Sequence, residues 1–567
     1  MGRIAAYLFC LVLLCLAAEA FAQDTIDVPM LADTMVVEAI QEVADTNAIN
    51  ADATSGISVA GTADPLPVNS VSNAAPIEGG PPGLSFSEKL AAGPVNFIVG
   101  IMLALFLFLF LWFRNLALVL NDKLADPELS SATKFDVEDA RSTAIASRQA
   151  SKFFGLIIAG FYVAFVAIQG TPMQGYAMEW LNLAVRWTHV IAGIMWIGAS
   201  FYFIFLENNL NRTEGLRDEL AGNLWAIHGG GFYYVEKFKV APKEIPKHLH
   251  WFKYEAYFTW LSGFSLMFIV YYADAKAFMI DPTIATLSAP ASIGIGIGSM
   301  ILGWVIYDAM SRSRLVLRQD LFALVGVVVL GVITYILTHL LSGRAAYIHV
   351  GALLGTIMAG NVFFTIIPSQ KALVRAAKTG QPLDASLGKK AGQRSLHNNY
   401  LTLPVVFIML SNHFPSTFGH SGNWWILMVI MVASAGIKHY WNLLDRGIKR
   451  TWVLVVSILA LVIMSMAISP AFEDTLDSAI PTTFEEANVV IQARCVQCHS
   501  ANPTDDQWTT APNGVMYDTP EQIKAMADKI MTRAVRTHTM PQGNKTNMTE
   551  EERIVLKRWI LQGAQIP

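Results

Sequence analysis

Residues 320–341 read DLFALVGVVVLGVITYILTHLL, and Asp320 is the only Asp, Glu, Lys or Arg in this stretch. As an α-helix, the stretch is long enough to cross the hydrocarbon core of a bilayer, which is roughly 30 Å thick. The full chain of 567 residues shares this character, because 53% of it is hydrophobic and only 15% is charged. Soluble domains carry about 25% charged residues, so the composition indicates a membrane protein. The net charge of −4 and the lack of a basic domain give no indication of a nucleic-acid partner.

Ten apolar stretches of this kind predict the fold class. It is all-α: a polytopic transmembrane helical bundle of about ten spans, followed by a smaller polar domain. The predicted spans are about 95–119, 153–170, 180–206, 254–273, 291–310, 320–341, 346–368, 398–413, 422–441 and 452–469. The stretches 153–170 and 398–413 are short for a span, so we expect their helices to be tilted or to extend beyond these limits.

Lys and Arg residues are distributed unequally between the connections on the two sides. The predicted cytoplasmic connections hold 25 of them, at 114–152, 207–253, 311–319, 369–397 and 442–451. The four predicted outer connections hold only Lys276 and Arg344. Because cytoplasmic connections are enriched in Lys and Arg, we expect a multi-pass protein of the inner (cytoplasmic) membrane. Its N-terminal segment and its C-terminal domain are then periplasmic, and membrane lipid is a partner.

The first 93 residues predict two segments that precede the membrane domain. Residues 1–22 have the features of a signal peptide, with Arg3, an apolar run and the cleavage motif Ala20-Phe21-Ala22. Residues 23–93 contain ten acidic residues and one basic residue, Lys89. Such a composition buries too little apolar surface to fold, so we expect a disordered acidic tether there.

Cys495-Val496-Gln497-Cys498-His499 is the attachment pattern of a c-type haem. Two thiols three residues apart can reach the haem vinyl groups, and the adjacent imidazole of His499 then becomes an axial ligand of the iron. Zinc is the alternative occupant, but zinc sites need four ligands. The two other cysteines, Cys10 and Cys15, lie in the predicted signal peptide. We therefore expect one covalent haem c on Cys495 and Cys498.

Met540 is the predicted second axial ligand, within Thr539-Met540-Pro541-Gln542-Gly543. Ligation by His and Met raises the reduction potential and favours electron transfer. Four other side chains compete for this role: Met526, Met531, Met548 and His538. The arrangement over 484–567 resembles the small class I cytochromes c, in which haem attachment lies near the first helix and the methionine before the last.

Two helices are predicted at the ends of this domain. Phe484 to Arg494 predicts a short helix that leads into Cys495. Thr549, followed three residues later by Glu552, predicts a capping box at the start of a C-terminal amphipathic helix.

Histidines in the predicted spans are candidate functional groups, because ionisable side chains inside a bilayer are costly. Four of them fall in the outer half, on the side of the haem c, and are candidate haem b ligands: His189, His339, His349 and His413. Arg186 lies one helical turn from His189, so the two share a helix face. That pair suits a haem propionate or an anionic substrate. Hydrogen bonding to neighbouring helices is the alternative role for each histidine.

A glycine run on the predicted cytoplasmic side is a second candidate substrate site. His228, Gly229, Gly230 and Gly231 lie between aromatic residues at Trp225 and 232–234. Successive glycines allow close backbone approach to a ligand and expose amides to an anion. A flexible turn is the alternative interpretation.

Three parts of the sequence resemble the membrane-bound urate oxidase (urate hydroxylase) family. They are Glu179–Asn182 with Arg186–Val190 and Trp196–Tyr202, Ile227–Tyr233 with Ala241-Pro242, and His250–Glu255 with Thr259–Gly263. The resemblance covers about 176–567 and is most specific over 179–264. That family couples an eight-helix membrane domain to a C-terminal cytochrome c. The resemblance therefore implies an eight-span domain at 176–470 and a cytochrome c domain at 484–567, with 94–175 as an extra two-span region.

The activity that the resemblance implies is oxidation of urate to 5-hydroxyisourate, a step of purine catabolism, with electrons passed to the cytochrome c rather than to oxygen. Urate is a planar monoanion at neutral pH, which suits either the Arg186–His189 pair or the glycine run at 229–231. The sequence leaves open which of the two binds urate.

Other functions fit the same residues. A second interpretation is that the membrane domain oxidises quinol or docks with a terminal oxidase, which would make the chain an electron-transfer cytochrome without urate chemistry. A transport or sensing protein whose cytochrome reports redox state is a third interpretation. In each case the haem needs a downstream electron acceptor, such as a terminal oxidase or a soluble cytochrome.

Overall fold

The computed structural model describes residues 94–567 except 169–172, 214–215, 243, 247–248, 273–274, 470–479, 506–507 and 509. The predicted signal peptide at 1–22 and the predicted tether at 23–93 lie outside the described residues. Within them the chain is mostly helical, as the apolar stretches predict. The predicted domain boundaries stay predictions.

Residues 94–469 form the part of the chain that we call the membrane half. It begins with two long helices that pack on each other, α1 (Pro94–Leu124) and α2 (Ser131–Ile168). Helix α3 (Met173–Asn209) then packs against α4 (Tyr254–Leu266), which continues as a π-helical segment at Met267–Tyr272. The short predicted span at 153–170 is the second part of α2, so that helix extends well beyond the apolar stretch.

The rest of the membrane half is a series of helices with short connections. They are α5 (Ala275–Phe278), α6 (Ala289–Arg312), α7 (Gln319–Thr338), α8 (Gly343–Asn361), α9 (Ile367–Thr379), α10 (Ala385–Ser411), α11 (Pro415–Phe418), α12 (Asn423–Asp445) and α13 (Thr451–Ala467). A 3₁₀ turn at Arg314–Leu317 links α6 to α7, and a π-helical segment at Val362–Ile366 links α8 to α9. Side-chain caps start several of them: Ser288 caps α6, Ser342 caps α8 and Asp384 caps α10.

Helix α8 lies at the centre of this half, packed against α4, α6, α7 and α10. Most of its side chains are buried, and Tyr347 and His349 are both 0% exposed. Glycines make this packing possible. A Cβ on Gly351 would lie 2.5 Å from Ile408, and a Cβ on Gly303 of α6 would lie 2.6 Å from Leu353. Small residues that let helices approach closely are typical of helix contacts in membranes.

Five helices among the described residues are long and apolar enough to cross a membrane. They are Glu179–Asn209, Ala289–Arg312, Gln319–Thr338, Gly343–Thr379 and Asn423–Asp445. Helix α13 is apolar but shorter. These helices indicate insertion into a membrane, while the count of ten spans stays a prediction. The short predicted span at 398–413 coincides with the end of α10, which begins earlier, at Ala385.

A β-hairpin corrects the all-α prediction. Strand β1 (Leu220–His228) pairs antiparallel with β2 (Gly231–Phe238), and Gly229 and Gly230 connect them. Both connecting glycines have positive φ, 58° and 78°, as a two-residue hairpin turn requires. Aromatic and apolar residues flanking a Gly-Gly pair are a hairpin signal. The sequence analysis assigned these residues to a connection between spans and predicted no strand there.

Residues 480–567 form a smaller helical unit. Its elements are α14 (Phe484–Arg494), a 3₁₀ turn (Pro512–Gly514), α15 (Pro520–Ala525), α16 (Ala527–Ile530), a π-helical segment (Met531–Arg536), a 3₁₀ turn (Gln542–Asn544) and α17 (Glu550–Leu561). The predicted helix from Phe484 to Arg494 is confirmed, and so is the predicted capping box of Thr549 and Glu552. The core of the unit is built around Ile491, Leu556 and Trp559, none of which is more than 1% exposed.

The C-terminal unit packs on two connections of the membrane half. Helix α5 contacts the turn Gln542–Asn544, and helix α11 contacts the segment Met531–Arg536. The contact at α11 is tight, since a Cβ on Gly419 would lie 2.6 Å from the Cβ of Thr537. Both connections belong to the side that the Lys and Arg distribution predicts to be outside. The C-terminal unit therefore lies at the end of the bundle where α8 begins and α10 ends.

Candidate functional site

The Cys-Val-Gln-Cys-His segment follows directly from α14, for which Cys495 is the C-cap. The Cys495 N–H donates to Ile491 O at 2.8 Å, and the His499 N–H donates to Cys495 O at 2.9 Å, so the segment coils back beneath the helix end. Cys495 packs on the hydrophobic core of the unit. Burial, and then the nearby Cys498, raises the pKa of the Cys495 thiol to about 12.

The His499 imidazole is oriented by a backbone carbonyl. Its Nδ1 lies 3.0 Å from Val515 O, so Nδ1 carries the proton and donates it, which leaves Nε2 unprotonated. The ring also packs at 5.4 Å against the ring of Tyr517. Burial lowers the pKa of His499 from its usual value, which favours the neutral ring. A neutral imidazole whose second nitrogen donates to a carbonyl is the usual arrangement of a metal-ligating histidine.

Met540 is fixed on the same core cluster as Cys495. Its N–H donates to Arg533 O at 3.0 Å, and its carbonyl accepts from Nη1 of Arg553 at 3.0 Å. Arg553 comes from α17, is 4% exposed, and also donates to Ala534 O. One buried guanidinium thus holds both sides of the loop that carries Met540. The competitors Met531 and Met548 are buried in the packing of the unit, at 5% and 3% exposed.

A second arginine joins the first and last helices of the unit. Arg494, at the end of α14, forms hydrogen bonds to both carboxylate oxygens of Glu552 at 3.0 and 3.1 Å. Thr546 Oγ1 donates to Arg494 O at 3.0 Å. Two-point Arg–carboxylate contacts fix geometry as well as charge. The segment 495–499 and the Met540 loop are therefore anchored to the same pair of helices, and the residues present fit a covalently bound c-type haem.

Two arginines, Arg344 and Arg533, lie where the C-terminal unit meets the membrane half. Arg344, in the first turn of α8, donates to Asn412 Oδ1 at 3.1 Å and lies 5.8 Å from the ring centres of both Tyr271 and Phe278. Burial, and then the charge of Arg344, lowers the pKa of Arg533 from its usual value. Among the described residues, no carboxylate forms an ion pair with Arg344 or Arg533. This place is thus suited to an anion with a flat aromatic face.

Arg344 was counted in the sequence only as one of two basic residues in the outer connections. Its rarity there was the available signal, since the topology disfavours cations on that side. The sequence could not predict that Asn412, Phe278 and the segment around Arg533 meet at this arginine, because they are far apart along the chain.

The structure places the predicted Arg186–His189 pair on α3, facing α4. His189 Nδ1 lies 3.0 Å from Thr259 O and 3.1 Å from Ser262 Oγ. The ring fills a space left by Gly263, where a Cβ would lie 2.8 Å from His189 Cε1. Arg186 donates to Asn182 on its own helix at 3.1 Å.

The predicted site at His228, Gly229, Gly230 and Gly231 is the tip of the hairpin. Gly229 and Gly230 form the turn, and no atom lies within 4 Å of the position of a Cβ on either. Trp225 and Phe232 beside them are 67% and 77% exposed. The glycines therefore have a conformational role in the turn, and the tip has no enclosing wall within the described residues.

The other three candidate haem b histidines lie in separate surroundings. His349 is fully buried, with Nδ1 2.7 Å from Ala345 O and Nε2 3.0 Å from the Tyr272 hydroxyl. Since both of its ring nitrogens are engaged, the arrangement does not fit an iron ligand. His339 Nδ1 lies 2.8 Å from Tyr335 O, and His413 follows the end of α10. We derive no step through a haem b.

A buried polar cluster at the opposite end of the bundle was not predicted. Arg394 of α10 is 2% exposed and pairs with Asp308 of α6 at 2.7 Å. It also donates to Asn361 Oδ1, at the end of α8, at 3.0 Å. Asp308 lies inside the predicted span at 291–310, and a carboxylate within a span is the signal that could have revealed the cluster.

Hydrogen bonds extend the cluster towards the interior of the bundle. The Asn361 amide donates to Asn398 Oδ1 and to the Tyr307 hydroxyl, both at 2.8 Å. The Tyr307 hydroxyl in turn lies 2.8 Å from His397 Nδ1. Every member named here is thus satisfied by another, which is the condition for a stable buried polar network.

Comparison with known protein families matches residues 175–469 to the family described as urate oxidase N-terminal. No curated protein and no solved structure matches the chain. The matched residues end before the C-terminal unit begins.

The buried ion pair predicts unequal effects of two similar substitutions. Asp308→Asn leaves the Arg394 charge buried without a counter-charge, which should destabilise the protein by about 3 kcal/mol. Asp136→Asn removes the exposed Arg375–Asp136 pair and should cost less than about 1 kcal/mol. Thermal unfolding of both variants in one detergent tests this. Equal midpoints for the two would contradict the structural role given to Arg394.

Proposed function

The chain belongs to the urate oxidase N-terminal family, and we propose that it oxidises urate to 5-hydroxyisourate in the membrane while its C-terminal unit carries a covalent c-type haem. In this conversion urate gains the oxygen of one water molecule and loses two electrons and two protons. When bound, the haem would supply a one-electron acceptor, so the two electrons would leave urate one at a time and a downstream acceptor would take each of them in turn. The observation that carries the proposal is the packing of the CxxCH unit on the family-matched domain, at the end where Arg344 lies.

The C-terminal unit would hold the haem-binding residues in position and keep the His499 imidazole neutral. Cys495 and Cys498 would form the thioethers, His499 would ligate through Nε2, and Met540 would be the second axial ligand. The contacts of His499 with Val515 and of the Met540 carbonyl with Arg553 support these roles, because the His499 ring and the backbone of the Met540 loop are both held in place by the protein. His/Met ligation suits electron transfer rather than ligand binding.

The urate site that we propose lies on the same side, at Arg344 and Arg533. Among the described residues these two cations have no ion-paired carboxylate, which favours an anion, and a guanidinium group can stack on a planar ring. A site there is adjacent to the loop of Met540, since the Met540 N–H bonds to Arg533 itself. The hairpin tip has exposed aromatic rings at Trp225 and Phe232, but its turn at 228–231 carries no arginine or lysine. We therefore place urate at the outer end.

His189 is the group that we propose to activate water. Because Nδ1 faces the carbonyl oxygen of Thr259, its proton is on Nδ1 and Nε2 is the basic nitrogen. A neutral imidazole with a free basic nitrogen can accept the proton of an attacking water. Arg186, one turn away on the same helix, would favour the anionic substrate.

The membrane placement belongs to the same proposal. Ten spans, with the C-terminal unit on the periplasmic side of the inner membrane, agree with the distribution of Lys and Arg. They also agree with the contacts of α5 and α11, two outer connections, with that unit. The downstream acceptor would be a terminal oxidase or a soluble cytochrome.

Urate should reduce the haem directly. When urate is added anaerobically to purified membranes, we expect the reduced c-type absorption band to appear promptly. His499→Ala should abolish it, because the iron loses its ligand, whereas His538→Ala, which changes a half-exposed histidine of the same unit, should preserve it. Reduction by quinol but not by urate would overturn the proposed function.

Arg344 should determine the affinity for urate. Arg344→Gln removes the charge but keeps the capacity to donate hydrogen bonds. Loss of one charge-assisted contact of about 1.5–3 kcal/mol should raise KM about tenfold to a hundredfold, with a smaller change in kcat. Lys276→Gln, which removes the other cation of the outer connections, is the matched control and should leave KM unchanged. An unchanged KM in Arg344→Gln would place urate elsewhere.

A further inference from the structure

A cavity of ≈ 280 Å³ lies between helices of the membrane half. None of its lining residues is assigned above to haem or urate. Residues of α6, α7, α8, α10 and α12 line it. Nearly all of the lining is aliphatic or glycine, including Gly326, Leu353 and Met431. Small-molecule sites typically occupy about 300–1,000 Å³, so the space suits one ring-sized group.

The cavity borders an exposed apolar surface of α7 and α12. Val327 of α7 and Val432 of α12 both line it and are 40% and 49% exposed. Both residues lie on helices that are long and apolar enough to cross a membrane, so their exposed surface faces lipid. A ligand would therefore enter from the lipid phase rather than from water.

Polar atoms are a small part of the cavity lining and come from the end formed by Tyr307, His397 and Tyr400. Tyr307, His397 and Tyr400 are the lining residues with hydroxyl or imidazole groups. Each tyrosine is paired with a histidine. The Tyr307 hydroxyl lies 2.8 Å from His397 Nδ1, and the Tyr400 hydroxyl lies 2.7 Å from Nδ1 of His439, which lies behind the lining. The His397 ring also stacks on Phe322, with 4.8 Å between centres and 19° between planes. This end thus combines a flat wall with groups that can donate and accept protons.

These features select one class of ligand. Urate has polar atoms on every edge, and the aliphatic lining would leave most of them without hydrogen-bond partners, which disfavours binding. A phospholipid acyl chain would match the lining but not the Tyr–His pairs. A molecule with a flat ring, oxygen atoms at the ring edge and an apolar tail matches both parts.

We propose that this cavity binds the head group of an isoprenoid quinone or quinol, with the tail leaving past Val327 and Val432 into the lipid. The pairs at Tyr307 and Tyr400 would hydrogen-bond the ring oxygens. The site gives the protein a second, lipid-soluble ligand in addition to urate, and it depends on the membrane placement proposed above but not on the position of the urate site.

Photolabelling of the quinone-depleted full chain in lipid nanodiscs tests the proposal. The probe is a short-chain azidoquinone, with a short-chain ubiquinone as competitor, and labelled peptides are identified by mass spectrometry. We expect labelling within 319–338 or 397–404 that the competitor removes.

Two glycine variants make the test specific. Gly326→Leu projects a side chain into the cavity from a position where a Cβ meets no atom within 4 Å, so the fold should tolerate it. It should weaken quinone binding about tenfold or more. Gly298→Leu is the matched control, because Gly298 is exposed on α6, equally free of neighbours and outside the cavity. It should label like the parent protein.

Three results would overturn the inference: equal labelling of the parent and Gly326→Leu, equal loss in Gly326→Leu and Gly298→Leu, or displacement of the probe by urate or phospholipid instead of by quinone. Haem reduction by urate is measured on the same parent samples. If urate does not reduce the haem but quinone competes for labelling, the proposed function is contradicted and the quinone site is still supported.

Discussion

The packing of one buried helix, α8, determines where everything else in the membrane half lies. Its contacts with α4, α6, α7 and α10 are close because glycines replace side chains at the contact points, at Gly351 and Gly303 among others. In a bilayer, where apolar burial alone gives helices no reason to associate, such close contact is the main source of attraction between them. A side chain larger than hydrogen at these positions would separate the helices and displace both ends of α8.

Those two ends carry the polar chemistry of the domain. Arg344 lies in the first turn of α8 and Asn361 is its last residue, so the helix holds them about 25 Å apart along its axis. The first belongs to the cationic site beside the C-terminal unit, and the second belongs to the buried Arg394–Asp308 cluster. Between them the polar side chains of the helix are Tyr347, His349 and Thr356, and each forms hydrogen bonds within the bundle.

Periodicity and spacing in the sequence predicted what is local in the chain. The helix at Phe484–Arg494, the capping box of Thr549 and the apolar helices follow from short-range patterns, and the structure agrees with them. The hairpin at 220–238 was missed because these residues were assigned to a connection between spans, and Gly229 and Gly230 were interpreted as a ligand site or a flexible turn rather than as a two-residue hairpin turn. The cationic site and the Arg394 cluster were missed for another reason. Each is assembled from helices distant in the chain, and no pattern within one helix predicts its partner.

The central claim is that the unit at 480–567 is a haem protein, and the most direct test is the mass of one peptide. Trypsin cleavage after Arg494 and Lys524 releases residues 495–524, which contain both Cys495 and Cys498. From cells able to mature c-type haems, this peptide should carry one haem through two thioether bonds and absorb visible light. Recovery of the peptide with both thiols open to alkylation would contradict the account.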